Sequence, residues 1–123
     1  MAERRKRGRL SRSGDFDRVF RDGRSQANRF LVAYSFPRAE AGAEGARLGI
    51  SVSRKVGGAA ERNTIKRALR EAFWSLESEL PPNHDFVLVA RPDSRGLVER
   101  EGTAGLTVAL RELVQPDSGR KAA

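Results

Sequence analysis

Five side chains suited to gripping phosphate crowd into nine residues of the stretch VGGAAERNTIKRALREAFW, which runs from Val56 to Trp74. They are Arg62, Asn63, Lys66, Arg67 and Arg70. Arginine offers phosphate a planar, two-donor fork, and lysine offers a compact point charge. At about 100° per residue, a helix sets all five within an arc of about 140°. Ile65, Leu69, Ala72, Phe73, Leu76 and Leu80 fall on an adjoining arc, an apolar stripe with which the helix can dock. A charged helix face is ordinarily a solvated one, laced with acid–base pairs four residues apart. Here the acids are missing where the cations cluster, and only Glu77 lies inside the polar stripe. Cations left to repel one another cost stability unless an anion binds them. Gly57 and Gly58 precede the helix. Their free N–H groups suit a phosphate, but an ordinary turn is the simpler reading of the two glycines alone.

The same search finds no catalytic constellation. His84 is the only histidine and there is no cysteine, which removes a histidine-relay nuclease, a thiolate zinc site and a cysteine nucleophile. His84 follows Pro81-Pro82-Asn83 and reads as a loop residue rather than a base. Asp15, Asp17 and Asp22 are spread by helical spacing, so a helix-terminus role suits them better than a Mg²⁺ site. If RNA is cut in the presence of this protein, another component supplies most of the chemistry.

Composition agrees with a polyanionic partner. The 123 residues carry a net charge of +8, and the excess lies in residues 1–38 and 54–70, with the C-terminal part acidic. Such a balance points first to nucleic acid and second to an acidic membrane surface. Of the 24 cationic residues only four are lysine; a GC-rich genome accounts for much of that ratio, but not for the net charge. No stretch approaches the roughly 20 apolar residues of a membrane span. The basic N-terminus has no apolar segment behind it to make a signal peptide. A soluble, cytoplasmic protein of one domain is expected.

The elements that must position the phosphate-binding residues follow from periodicity. Residues 1–10 hold five cations within six positions, 4–9, and are expected to form a flexible basic arm, either ordering on RNA or staying solvated. Residues 11–114 form the folded domain, and 115–123 a flexible tail. Phe16, Val19 and Phe20 share one face of a short first helix, stopped at Gly23. Residues 29–36 alternate as a strand with Phe30, Val32, Tyr34 and Phe36 on one side. After a loop at 37–46, residues 47–54 alternate cleanly, with Leu48, Ile50 and Val52 opposite Gly49, Ser51 and Ser53. A hairpin between these two strands is the simplest pairing. The central helix is expected over about 59–80, ended by Pro81 and Pro82. Residues 85–91 are a continuous apolar run, as in a strand buried on both faces. Residues 92–102 read as a polar loop before a last helix at 103–114. A short extra strand near Arg24 to Asn28 is left open. The result is an α+β fold, a single-domain α-β sandwich with one mixed four-stranded sheet and about three helices.

Aromatic placement suggests a second surface. Phe16 and Phe20 would ordinarily be core. Single-stranded RNA, however, is gripped by rings that stack on bases beside cations that follow the phosphates. Tyr34 is the best stacking candidate, because its hydroxyl needs water or a partner. The face with Gly49, Ser51 and Ser53 is too polar for a dry core and offers a floor for such a groove.

The stretch KVGGAAERNTIKRALRE closely resembles the signature of the bacterial ribonuclease P protein component, in which a Lys-x-x-Gly segment leads into Arg-Asn-x-x-Lys-Arg-x-x-Arg. DFDRVFRDGRS is similar to the first helix of that family, and RLGISVSRKVG to the strand before the motif. The similarity spans about residues 10 to 114; the basic arm and the 37–46 loop are not part of it. Gly58 departs from an Asn common there, and glycine is a passable N-cap.

The resemblance implies a left-handed βαβ crossover around the motif helix, against the usual handedness. It implies assembly with a large catalytic RNA that removes 5′ leaders from precursor tRNA. In that family the RNA performs the hydrolysis with Mg²⁺, held mainly by the RNA subunit and the substrate. The protein binds both RNAs and lowers the Mg²⁺ requirement, with no obligate protein partner. By motif match, Arg62, Asn63, Lys66, Arg67 and Arg70 would face the catalytic RNA, with Lys55 nearby. Phe16, Phe20 and Tyr34 would line the groove that holds the leader, and the apolar side of the motif helix would close one wall of it. The rival reading is a ribosomal or general RNA-binding protein with no part in tRNA processing.

Overall fold

A computed structural model describes residues 8–10, 12–38 and 45–114. The elements in chain order are β1 (Gly8–Arg9), α1 (Ser13–Asp22), β2 (Arg24–Ala27), β3 (Leu31–Pro37), β4 (Arg47–Val52), α2 (Ala59–Ser75), β5 (His84–Ala90) and α3 (Asp93–Val114). The strands form one mixed sheet in the order β1-β4-β5-β3-β2. β4 runs parallel to β1 and β5, while β3 is antiparallel to β5 and β2. Parallel β4 and β5 are therefore joined through α2, as a crossover connection.

The two sheet faces bury different cores. Leu48, Val52, Leu31, Ala33, Phe86 and Leu88 meet Ile65, Leu69, Ala72 and Phe73 of α2 and Leu97, Leu106 and Leu110 of α3. This is the main core, in which Phe73 and Leu69 have no exposed surface. Truncating a fully buried phenylalanine such as Phe73 to alanine costs about 3–5 kcal/mol. On the other face Leu10, Val19 and Val87 are buried, with Phe16, Tyr34, Phe36 and Val89 packed around them. β5 serves both cores, which is why its apolar residues run without alternation.

Five expectations change. First, the sheet has five strands, because β1 joins β4 through bonds from Gly8 N–H to the Ala46 carbonyl and from Leu10 N–H to the Leu48 carbonyl, both 3.0 Å. Residues 8–10 thus belong to the fold rather than to a flexible arm. Local charge repulsion argued for disorder, but Leu10 finds a buried site at 3% exposure. The rest of the expected arm, the middle of the 37–46 loop and the 115–123 tail lie outside the described residues. Second, β3 and β4 do not form a hairpin: β5 lies between them, satisfying an apolar strand that needs neighbours on both edges. The short strand at Arg24–Ala27 is the one that forms a hairpin with β3.

Third, α2 ends at Ser75, and a 3₁₀ turn at Glu77–Glu79 carries the chain to the prolines. Fourth, the expected loop at 92–102 is mostly helical: α3 begins at Asp93 and is kinked at Gly102, where φ is 67° and ψ is −158°. The charged surface of this first segment hid Ser94 and Leu97, both buried beneath it. Fifth, His84 is the first residue of β5, its Nδ1 2.8 Å from the Pro82 carbonyl, and not a loop residue. Among the described residues no helix is long and apolar enough to cross a membrane.

Candidate nucleic-acid interface

α2 is rich in alanine and arginine, strong helix formers, and begins after Gly58 with no side-chain cap. Glu61 in its first turn lies 3.7 Å from Arg95 of α3, and Glu71 accepts from the Thr103 hydroxyl at 3.4 Å. These contacts mark the side of α2 that faces α3. The next side buries Ile65, Ala68, Leu69, Ala72 and Phe73. The remaining side carries all five residues singled out from the sequence. Asn63, Arg67 and Arg70 are exposed and Arg62 and Lys66 half-buried. Among the described residues, no carboxylate pairs with Arg62, Lys66, Arg67 or Arg70. The Arg62 Nε is shielded and has no hydrogen-bond partner. Helical spacing thus brings the cations together, and no acid among the described residues neutralises them.

The aromatic candidates also meet. The Phe16 and Phe20 ring centroids are 6.3 Å apart, and Phe20 meets Tyr34 edge-on at 4.8 Å. Gly49 allows this: a Cβ there would come within 2.6 Å of the Phe16 ring. So Gly49 is not a polar floor but the seat of an aromatic ring. Phe20 is 40% exposed, one of only two large apolar side chains so exposed among the described residues. Beyond α1 the same sheet face continues through the paired row Ser51, Val89 and Val32, all partly open.

The wall expected from α2 is not there. The apolar side of α2 packs on the opposite face of the sheet, in the main core, whereas Phe16 and Tyr34 pack in the smaller one. Helical periodicity gives α2 an apolar side but cannot say which sheet face receives it. Lys55 is exposed in the turn after β4, at the end of the sheet where α2 begins. The stripe and the aromatic patch therefore lie on opposite faces.

Three residues were missed from the sequence. Arg54 sits exposed beside Lys55. Arg91 follows β5 on the Val89 side and donates to the Asn28 carbonyl at 3.2 Å; extending the strand alternation from Val89 finds it. Asp85 is 1% exposed. It accepts from Arg38 at 2.7 Å and from Arg47 at 2.8 and 2.7 Å. Burial pushes the Asp85 carboxyl up, but hydrogen bonds from Arg47 and Arg38, with their charges, outweigh burial and hold it below the usual carboxylate value. Arg47 also lies 3.9 Å from Asp15 in the first turn of α1, so this cluster helps to hold α1 on the sheet. An aspartate opening an apolar strand was the available signal, since a buried carboxylate needs cations.

The acids of α1 do not converge. Asp15 pairs with Arg18 at 3.0 Å and Asp22 with Arg21 at 3.5 Å. Among the described residues no three His, Asp or Glu side chains gather to hold a metal ion.

Comparison with known proteins gives the family. The family model for ribonuclease P matches residues 5–114. The ribonuclease P protein component of Shouchella clausii is 40% identical over 108 residues, covering 88% of this chain and 87% of that one. The ribonuclease P protein of Thermotoga maritima superposes with a TM-score of 0.78 at 31% identity, over 90% of this chain and 98% of that one. The Staphylococcus aureus protein gives a TM-score of 0.73 at 36% identity, over 84% and 92%. The chain therefore belongs to the bacterial ribonuclease P protein family, as the protein subunit of the ribonucleoprotein endoribonuclease that processes the 5′ end of precursor tRNA with a catalytic RNA.

Proposed function

We propose that the two faces of the sheet serve two RNAs. Arg62, Asn63, Lys66, Arg67 and Arg70 on α2, with Lys55 at the turn, bind the catalytic RNA. Phe16, Phe20 and Tyr34 hold the single-stranded 5′ leader of precursor tRNA. The observation that carries this reading is the unneutralised cationic side of α2, set across the sheet from an open aromatic patch. Unpaired phosphate-binding side chains favour RNA backbone, and exposed rings favour splayed bases.

The effect on catalysis follows from electrostatics. Catalyst and substrate are both polyanions and repel each other. A protein of net charge +8 placed between them reduces the repulsion that Mg²⁺ must otherwise screen. Mg²⁺ supplies the Lewis-acid chemistry of hydrolysis on the RNA and substrate. The residues of this chain bind and orient. The cytoplasmic location expected from the sequence suits work on precursor tRNA.

The test is cleavage of a precursor tRNA at low Mg²⁺ by the catalytic RNA alone, the protein alone and both together. Activity only in the mixture is the expected result. An RNA active at high Mg²⁺ that gains nothing from the protein at low Mg²⁺ would overturn the proposal and favour general RNA binding.

A further inference from the structure

Strand β1 adds a cation to the side of α2 that carries the stripe. Gly8 and Leu10 give their N–H groups to β4. By alternation the Arg9 N–H and carbonyl point to the outer edge, where no strand flanks β1 among the described residues. Side chains alternate too. Leu10 is buried in the α1-side core, so Arg9 lies on the opposite face, the one covered by α2. Arg9 is exposed, and among the described residues no carboxylate pairs with it.

The placement of α2 brings Arg9 and the stripe to one flank. α2 packs over β4, and α3 packs over β3. In the sheet order, β1 therefore lies on the side of α2 away from α3. Arg62, Lys66 and Arg70 are on that same side. As a crossover helix, α2 runs back along β4. Its Arg70 end thus lies toward the start of β4, where Arg9 pairs with Leu48.

We infer that Arg9 and the open edge of β1 continue the α2 surface, and that Arg9 makes a further phosphate contact with the catalytic RNA, adding a guanidinium and a free backbone N–H. The inference rests on the reading of α2 given above. It assigns Arg9 to the catalytic RNA and not to the leader, because the aromatic patch lies on the other sheet face.

The experiment uses the full chain and measures affinity for the catalytic RNA against salt, for wild type, Arg9→Ala and Arg70→Ala. Each variant is expected to lower the log–log salt slope by about one, which is about a 3-fold smaller loss of affinity between about 50 and 200 mM salt. The affinity ratio of the assembled enzyme for leader-bearing over leaderless tRNA should stay unchanged in Arg9→Ala. If Arg9→Ala lowers the melting temperature, Arg9→Gln, which keeps the aliphatic stem, is read in its place. An altered slope for Arg70→Ala with an unaltered one for Arg9→Ala overturns this inference and leaves α2 as the interface. Unaltered slopes for both overturn the reading of α2 as well. Loss of leader discrimination without loss of affinity for the catalytic RNA assigns Arg9 to the substrate and also overturns the inference.

Discussion

Replacing Asp85 by alanine removes the acceptor of three short bonds, one from Arg38 and two from Arg47. The two arginines do not suffer equally. Arg38 is 7% exposed and would keep only the carbonyls of Gly45 at 3.1 Å and His84 at 3.4 Å. Arg47 is 31% exposed and would recover water. Breaking a buried pair costs about 3–5 kcal/mol, and the solvated half of this one puts Asp85→Ala near the lower end. About 3 kcal/mol lowers the melting temperature of a domain this size by at least about 10 °C. The loss depends on pH in a definite direction. The folded-state carboxyl is held below its ordinary value. Its contribution is therefore complete above the unfolded value of about 3.9 and is lost as pH falls through the lower folded value. Urea unfolding, followed by fluorescence of the single tryptophan, Trp74, would compare wild type and variant at neutral pH and then at falling pH. The gap should be widest near neutrality and narrow below about pH 4. A gap that stays constant with pH, or a neutral gap under about 1 kcal/mol, would refute the account of the cluster.

Three further outcomes are expected. Arg62→Ala combined with Arg67→Ala should weaken assembly with the catalytic RNA and flatten its salt dependence by about one log unit of slope per lost phosphate contact, and an unchanged slope would sink the assigned face. Phe20→Ala or Tyr34→Ala should weaken binding of leader-bearing substrate by about 1–3 kcal/mol; an equal loss with leaderless tRNA would make these rings core residues only. Gly49→Ala should destabilise the fold by about 1–3 kcal/mol, because its Cβ would strike the Phe16 ring. It should also cost leader affinity without changing the salt slope for the catalytic RNA, which competition binding with the two RNAs can separate.

The site was legible in proportion to how local its causes are. The spacing of Arg62, Lys66 and Arg70 is a property of one helix, so the cationic stripe could be drawn before the fold was known. Alternation likewise placed Val32, Tyr34 and Phe36 on one side of a strand, but it wrongly added Phe30, which precedes β3 and packs against the main core on the other face. The leader-groove role proposed for Phe16, Phe20 and Tyr34 came through family resemblance; the ring contacts themselves needed α1 to be laid on the sheet.

Asp85 shows the limit well. Read along the chain it is a polar residue beside an apolar run, and its partners Arg38 and Arg47 are separated from it by 47 and 38 positions. Nothing short-range links them.

By itself the sequence determined the α+β class, the polyanionic partner, the periodic faces of each element and, through its central motif, the family. These depend on covalent spacing, side-chain charge and the helical and strand repeats. Only the tertiary structure decided that β5 separates β3 from β4, that Leu10 draws Arg9 into the sheet, and that the apolar side of α2 packs opposite the aromatic patch. Each of those outcomes is a competition between distant surfaces for burial and for backbone hydrogen bonds, and it is settled only when the whole sheet is assembled.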